Sequence, residues 1–291
     1  MLRTKKVPEF DFNEINTTAF LEAYEVSSIV VVKNVIPERF ILGAQNRLFN
    51  FFESVLSKRN IFIKDNDTLD VVHQMAQQAM GEEDARYLLT IGKDLPVFKQ
   101  IISCDPVIST IESLLKTKNI QSVDDSNVLR IDRPQSDLTN LPWHQDYPYN
   151  MLSLNAITAW IPIMPVDERM GRMRVISPKR ELMPIEYSHK IKQEFHNSRY
   201  IKLKGLENLE EEFEAASIEV QEVLPGDMVL FDSLVLHRSG VNTSKKSRWV
   251  ATARYGSLDD VLVAKRNYFT ARAKYPNIFK NYHPDQWFEV D

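Results

Sequence analysis

The segment PGDMVLFDSLVLHRSG, residues 225–240, decides the fold class. Pro-Gly-Asp at its start and Ser-Gly-Val-Asn at 239–242 are turn signals. Between them lie two short apolar runs, residues 228–231 and 235–237. Short apolar runs separated by turns predict the strands of a β-sandwich or barrel. Further strands are predicted nearby at residues 127–131, 156–163, 173–176, 219–223 and 249–255.

The N-terminal part of the chain has a different periodicity. After Pro37, apolar residues recur at steps of three and four as far as Leu56. This spacing predicts an amphipathic helix of about five turns. Three further helices are predicted within residues 68–115, and their start signals include Asp105-Pro106. The first part of the chain is therefore expected to be helical.

These patterns predict one domain over residues 1–291. A helical region of about residues 1–120 is expected to pack on a β core of about residues 121–260. A charged insertion at 181–217 interrupts that core, and a segment of this length inside a β domain is typical of a lid or binding loop. The aromatic C-terminal stretch is expected either to pack back on the core or to make a dimer contact, so a monomer and a homodimer both stay open.

Composition excludes several classes of protein. The 291 residues are 43% hydrophobic and 26% charged, with one cysteine, Cys104, which excludes a disordered chain and a disulfide scaffold. The net charge of −4 gives no global attraction for nucleic acid. A single thiol indicates a reducing compartment, and no apolar stretch approaches the length of a membrane span. We therefore expect a cytoplasmic protein that contacts neither membrane nor nucleic acid.

One of the six histidines stands in a pattern that indicates chemistry. His144 lies in Trp-His-Gln-Asp, and on an extended backbone the residues at i and i+2 point the same way. His144 and Asp146 therefore project together, and an imidazole beside a carboxylate can bind two adjacent positions of a metal. A solvated Asp beside a packed His is the alternative. Apart from His144 and His237, the histidines are expected at the surface: His73, His189, His196 and His283.

A third metal ligand is expected from another strand. His237 ends an apolar run and precedes a turn. Two histidines and one carboxylate form the facial triad of non-haem Fe(II) oxygenases, which leaves three metal positions open. The sequence therefore predicts His144, Asp146 and His237 as iron ligands.

Arg248 lies eleven residues after His237, across a turn rich in Ser, Asn and Lys. An arginine at the mouth of a barrel can clamp a carboxylate with two parallel hydrogen bonds. A 2-oxo acid that chelates iron with its keto and C1 carboxylate oxygens needs such a cation for its far carboxylate. A surface ion pair is the alternative role for Arg248.

Taken together, these motifs resemble the phytanoyl-CoA dioxygenase family of Fe(II)/2-oxoglutarate-dependent oxygenases. The resemblance covers about residues 20–257 and rests on an ordered set of motifs: VVVKNVIPERF, LRIDRP, WHQD, ITAWIPI, GRMRVISP, PGDMVLFDSLVLHRSG and the Arg248 strand. It implies a mainly β fold with flanking helices, built as a double-stranded β-helix (a jelly-roll, cupin-like barrel). It also implies Arg248 as the 2-oxoglutarate anchor, with Trp160 and Leu129 lining the cosubstrate site.

The implied reaction is the oxidation of an unactivated C–H bond of a small molecule by O2, with Fe(II) and the cosubstrate 2-oxoglutarate. Because Asp146 is present, hydroxylation or a related two-electron oxidation is favoured over halogenation. A cationic cluster would suit an anionic group of the substrate, although a solvated face is the alternative for these residues. The cluster consists of Arg172, Arg174, Lys179 and Arg180.

Two other functions stay open: an isomerase-like metalloenzyme that needs no 2-oxoglutarate, and a non-catalytic binding module.

Overall fold

The computed structural model describes residues 6–81, 91–134, 141–188, 201–268 and 276–290. Its helices lie mostly before residue 116, as the periodicity predicts. Thr17 and Thr68 cap two of them, each accepting a hydrogen bond from a first-turn backbone N–H. The described helices are α1 (Thr18–Ser27), α2 (Glu38–Ser57), α3 (Leu69–Met80), α4 (Pro96–Ser103), α5 (Asp105–Leu115), α6 (Tyr147–Asn150), α7 (Leu206–Ala216), α8 (Val261–Lys265) and α9 (Pro276–Tyr282).

The strands fall mostly after residue 119 and are short. Those predicted from the sequence are present, although the one expected at 219–223 is reduced to two residues ending at Glu219. The described strands are β1 (Glu9–Asp11), β2 (Ile29–Lys33), β3 (Ile120–Ser122), β4 (Val128–Asp132), β5 (Ile157–Pro162), β6 (Met173–Ile176), β7 (Ile185–Ser188), β8 (Ile201–Leu203), β9 (Ile218–Glu219), β10 (Met228–Asp232), β11 (Leu236–Ser239), β12 (Arg248–Ser257) and β13 (Trp287–Val290).

Two sheets form the β core. The large sheet has the order β1-β2-β10-β5-β12-β3, and β4 also pairs with β12. A small sheet, β11-β6-β9, faces it. Val229, Trp160 and Val250 of the large sheet share an interior cluster with Val175 and Val235 on the other side. Because side chains alternate along a strand, this interior receives every second residue of each strand.

The outer face of the large sheet is covered by the helices. Ile157, Ala159 and Ile161 of β5 share a cluster with the buried stripe of α2. That stripe recurs at steps of three and four, and it consists of Ile41, Ala44, Leu48, Phe52 and Leu56. The prediction of a sheet-rich fold with flanking helices is therefore confirmed. Among the described residues, no helix is both long and apolar enough to cross a bilayer.

The expectation that His73 is solvated is wrong. Its ring is fully buried between Phe52 and Trp249, with ring centroids 5.0 and 4.8 Å away. The helix is turned inward there because Asp70 Oδ1 accepts hydrogen bonds from the backbone N–H of Ser247 and from Trp249 Nε1. Neither ring nitrogen of His73 has a hydrogen-bond partner in the part of the chain that the structure describes.

Replacing His73 with Phe should flatten the pH dependence of stability. Burial lowers the pKa of His73 to about 4, from an ordinary value of 6.5. Between these values the unfolded chain binds the proton more readily, so wild-type stability falls as pH drops from 6.5 towards 4. The shift corresponds to about 3 kcal/mol. Urea unfolding at pH 7 and pH 4 should show the His73→Phe variant losing about 3 kcal/mol less than wild type. Equal losses in both proteins would contradict this assignment.

The C-terminal stretch packs back on the β core. Strand β13 pairs in parallel with β7, extending a third sheet of order β13-β7-β8. Phe279 and Trp287 join a cluster with Leu236 and Ile176, on the side of the small sheet away from the interior. Part of the 181–217 insertion lies outside the described residues, as do His189 and His196. Its described part contributes β7, β8 and α7 to this outer layer.

Candidate metal centre

Two backbone hydrogen bonds bring the predicted histidines together. His144 and His237 form an isolated antiparallel bridge, with N···O distances of 3.1 and 3.0 Å in the two directions. Their ring centroids lie 4.1 Å apart. The short helix α6 begins directly after Asp146, and Asn150 Nδ2 donates to the Asp146 carbonyl at 2.9 Å. The loop before α6 and strand β11 thus present three side chains to one point.

The geometry of the three side chains suits a divalent metal. Asp146 Oδ1 lies 3.7 Å from His144 Nε2 and 3.9 Å from His237 Nε2, and all three ligand atoms lie within 4.8 Å of one another. His144 Nδ1 lies 2.8 Å from the Pro142 carbonyl, and His237 Nδ1 lies 3.0 Å from the Val235 carbonyl. Protonated Nδ1 atoms leave both Nε2 lone pairs free for a metal. The donor set therefore fits iron.

Burial keeps these histidines neutral. It lowers the pKa of His144 to about 3, with His237 as a further cause. Burial also lowers the pKa of His237. For Asp146, burial alone would raise the pKa, but the positive charge of Arg254 and the hydrogen bond from Thr158 act in the opposite direction, and the pKa lies well below its usual value. The site therefore presents two neutral imidazoles and one carboxylate, the protonation states that metal binding requires.

The second oxygen of Asp146 is held by residues that sequence reasoning missed. Thr158 Oγ1 donates to Oδ2 at 2.6 Å, and Arg254 Nε donates to the same atom at 3.1 Å. Arg254 Nη2 also lies 3.4 Å from Oδ1. The alternation of side chains along β12 could have indicated Arg254. Positions 248, 250, 252 and 254 lie on the same face of this strand, so Arg254 shares a face with the predicted Arg248.

Arg248 lies inside the β core, and its side chain is 2% exposed. It shares a strand face with Val250, which belongs to the interior cluster. Arg248 Nη2 and Nε donate to Asp132 Oδ2 at 2.7 and 3.0 Å. Arg130 Nε donates to the other oxygen, Oδ1, at 3.0 Å. The alternative role of Arg248, a surface ion pair, is excluded by this burial.

The other two cosubstrate candidates occupy opposite faces of the large sheet. Trp160 lies in the interior cluster, opposite Thr252 in the neighbouring strand. Leu129 lies in the outer cluster instead, where it lines a small cavity with Leu48 and Gly92. The interior positions of β4 belong to Arg130 and Asp132. Nothing in this placement connects Leu129 to the triad.

Arg174 of the cationic cluster does not face the triad. Arg174 alternates with Met173 and Val175, which point into the interior, so its side chain lies on the outer face of β6. Each cluster member is paired with a carboxylate, two of them from α7. The pairs are Arg172–Glu219, Arg174–Glu214, Lys179–Asp232 and Arg180–Glu212, at 3.8, 3.5, 2.6 and 3.5 Å.

Comparison with solved structures establishes the fold. EctD from S. alaskensis with bound Fe is 13% identical, with a TM-score of 0.55 over 84% of this chain and 78% of that chain. EctD with 2-oxoglutarate and 5-hydroxyectoine is 12% identical, with a TM-score of 0.54 over 84% and 78%. EvdO2 from Micromonospora carbonacea var. aurantiaca is 12% identical, with a TM-score of 0.52 over 82% and 89%. The predicted jelly-roll fold is thereby confirmed.

Comparison by sequence establishes the family. A search of curated proteins gives no significant match. A family model described as phytanoyl-CoA dioxygenase, however, matches residues 66–250, which are 185 of the 291 residues. The match includes His144, Asp146, His237 and Arg248, and it ends before Arg254. The chain therefore belongs to the phytanoyl-CoA dioxygenase family of iron- and 2-oxoglutarate-dependent oxygenases.

Proposed function

We propose that this enzyme hydroxylates, or otherwise oxidises by two electrons, an unactivated C–H bond of a small molecule, with release of succinate and CO2. The observation that carries the proposal is the buried set of His144, Asp146 and His237, whose ligand atoms lie within 4.8 Å of one another. Family membership and the iron and 2-oxoglutarate in the EctD structures support it.

In this proposal each residue has a defined task. His144, Asp146 and His237 bind Fe(II), which when bound supplies the oxidising chemistry for O2 and the 2-oxo acid. Arg248 binds the far carboxylate of 2-oxoglutarate. Asp132 orients the Arg248 guanidinium through two hydrogen bonds to one oxygen. Trp160 borders the cosubstrate from β5. Leu129 has no contact with the cosubstrate in this proposal, because its side chain faces the helices.

Aromatic side chains pack against both histidine ligands, which supports the exclusion of water from the reaction. The phenyl ring of Phe231 lies 4.6 Å from the His237 ring, and Tyr149 contacts the His144 ring edge to face at 5.8 Å. The hydroxyl of Tyr149 donates to the Ile201 carbonyl of β8 at 2.8 Å. The insertion thus reaches the metal site through β8, which supports a role for it in covering the substrate. A low-dielectric surrounding strengthens the ion pairs inside the site.

The proposal is tested by following the conversion of ¹³C-labelled 2-oxoglutarate to succinate by NMR, first without and then with a panel of metabolites. Purified enzyme with Fe(II), ascorbate and O2 should release succinate at least about 100-fold faster than the His237→Ala variant, which has lost a metal ligand. Omitting Fe(II) should abolish the release. Metal binding without any succinate release would favour the isomerase-like alternative, and a wild type that binds no metal would favour a binding module.

A further inference from the structure

The two carboxylate oxygens of Asp146 lie in different surroundings, and residues outside the metal ligands contribute to the difference. Oδ1 faces His144 Nε2 and His237 Nε2 at 3.7 and 3.9 Å. Oδ2 accepts hydrogen bonds from Thr158 and Arg254 at 2.6 and 3.1 Å. Both Thr158 and Asp146 are at least 97% buried. Oδ2 is thus occupied by two protein donors, whereas Oδ1 accepts one longer hydrogen bond, from Arg254 Nη2 at 3.4 Å, and is the oxygen that faces the two histidine ligands.

The Arg254 guanidinium is itself anchored. Its Nη1 donates to the Ser126 carbonyl at 2.6 Å and lies 3.5 Å from Thr252 Oγ1. Among the residues that the structure describes, its remaining polar contacts are those to Asp146, including Nη2 to Oδ1 at 3.4 Å. With three of its nitrogens committed, Arg254 has little freedom to turn towards a ligand. Its arrangement is that of a residue that orients another side chain.

A carboxylate can bind a metal through one oxygen or through both. Binding through both would occupy an additional metal position, and a 2-oxo acid needs two positions for its own oxygens. We infer that Thr158 and Arg254 are positioning residues that restrict Asp146 to binding through Oδ1 and thereby keep the metal accessible to the 2-oxo acid. Arg254 also offsets the charge of Asp146, which favours the approach of a dianion. This inference rests on the proposed function.

The inference predicts opposite effects on two affinities. In Thr158→Val and Arg254→Met, Mn(II) affinity, measured by the EPR signal of the free ion, should stay unchanged or increase. The affinity for 2-oxoglutarate, measured anaerobically by its charge-transfer band with Fe(II), should fall about 10-fold for Thr158→Val and up to about 100-fold for Arg254→Met. Thr158→Ser and Arg254→Lys keep a donor or the charge and should recover most of the loss.

A matched control separates positioning from stability. Thr110 in α5 is also a buried threonine, and its hydroxyl donates to the Pro106 carbonyl at 2.7 Å. Thr110→Val should change the melting temperature of the metal-free protein about as much as Thr158→Val but leave both affinities at wild-type values. The inference is overturned if Thr158→Val and Arg254→Met bind 2-oxoglutarate within twofold of wild type. It is also overturned if both affinities fall together with the melting temperature. A wild type without the band contradicts the proposed function instead.

Discussion

Asp146→Ala is expected to abolish metal binding and to destabilise the metal-free protein. The variant loses one of the three metal ligands, and the only one of them that carries a negative charge, so metal affinity should fall by more than about 100-fold. It also leaves the Arg254 guanidinium, whose side chain is 17% exposed, without its carboxylate. An uncompensated buried charge typically costs about 3–5 kcal/mol. Urea unfolding and Mn(II) titration measure the two effects.

The double variant Asp146→Ala/Arg254→Met separates these two effects. It removes both members of the ion pair, so the metal-free protein should regain most of the stability that Asp146→Ala loses, because no unpaired charge stays buried. Metal binding should stay lost, because the ligand is still absent. A double variant as unstable as Asp146→Ala would show that the Arg254–Asp146 pair is not the source of the destabilisation.

Arg248→Met is expected to weaken 2-oxoglutarate binding by at least about 30-fold, because truncating one member of a buried, hydrogen-bonded charge pair costs about 2–5 kcal/mol. The affinity for Fe(II) should change by less than about threefold, since the structure places the Arg248 hydrogen bonds on Asp132 and not on the triad. The measurement is an anaerobic titration of each ligand separately.

Arg248→Lys provides the control for charge. A lysine keeps the positive charge but cannot form two parallel hydrogen bonds with one carboxylate. Its affinity for 2-oxoglutarate should therefore lie between those of wild type and Arg248→Met. If all three proteins bind 2-oxoglutarate equally, Arg248 is not the anchor, and the neighbouring Arg130 becomes the alternative to test.

The sequence predicted the order of elements well because local signals determine them. Thr17 and Thr68 cap their helices, and the turns around residues 225–227 and 239–242 bound β10 and β11. His144 and His237 could also be singled out, because His144 stands two residues before a carboxylate and His237 ends an apolar run before a turn. Their actual proximity depends on a long-range backbone bridge that no local signal reports.

The faces of strands and helices were harder to assign. Leu129 and Ile131 of β4 point to the helices, whereas the charged Arg130 and Asp132 point into the core. A rule that places apolar side chains inside and charged ones outside cannot anticipate an interior that needs cations for an anionic cosubstrate. The same rule predicts a solvated His73, but hydrogen bonds to Asp70 from Ser247 and from Trp249 of β12 turn this part of the helix inward. Where the local pattern is ambiguous, long-range contacts therefore decide which side chains point into the core.

The central claim is that the three buried ligands and Arg248 together form a site for iron and 2-oxoglutarate. The most direct test adds Fe(II) and then 2-oxoglutarate to the metal-free protein without oxygen, with visible absorption recorded at each step. A weak metal-to-ligand charge-transfer band should appear in the wild type, saturate with 2-oxoglutarate, and require at least about 30-fold more of it in Arg248→Met. An Fe(II)-bound wild type that gives no band at any 2-oxoglutarate concentration would contradict the claim.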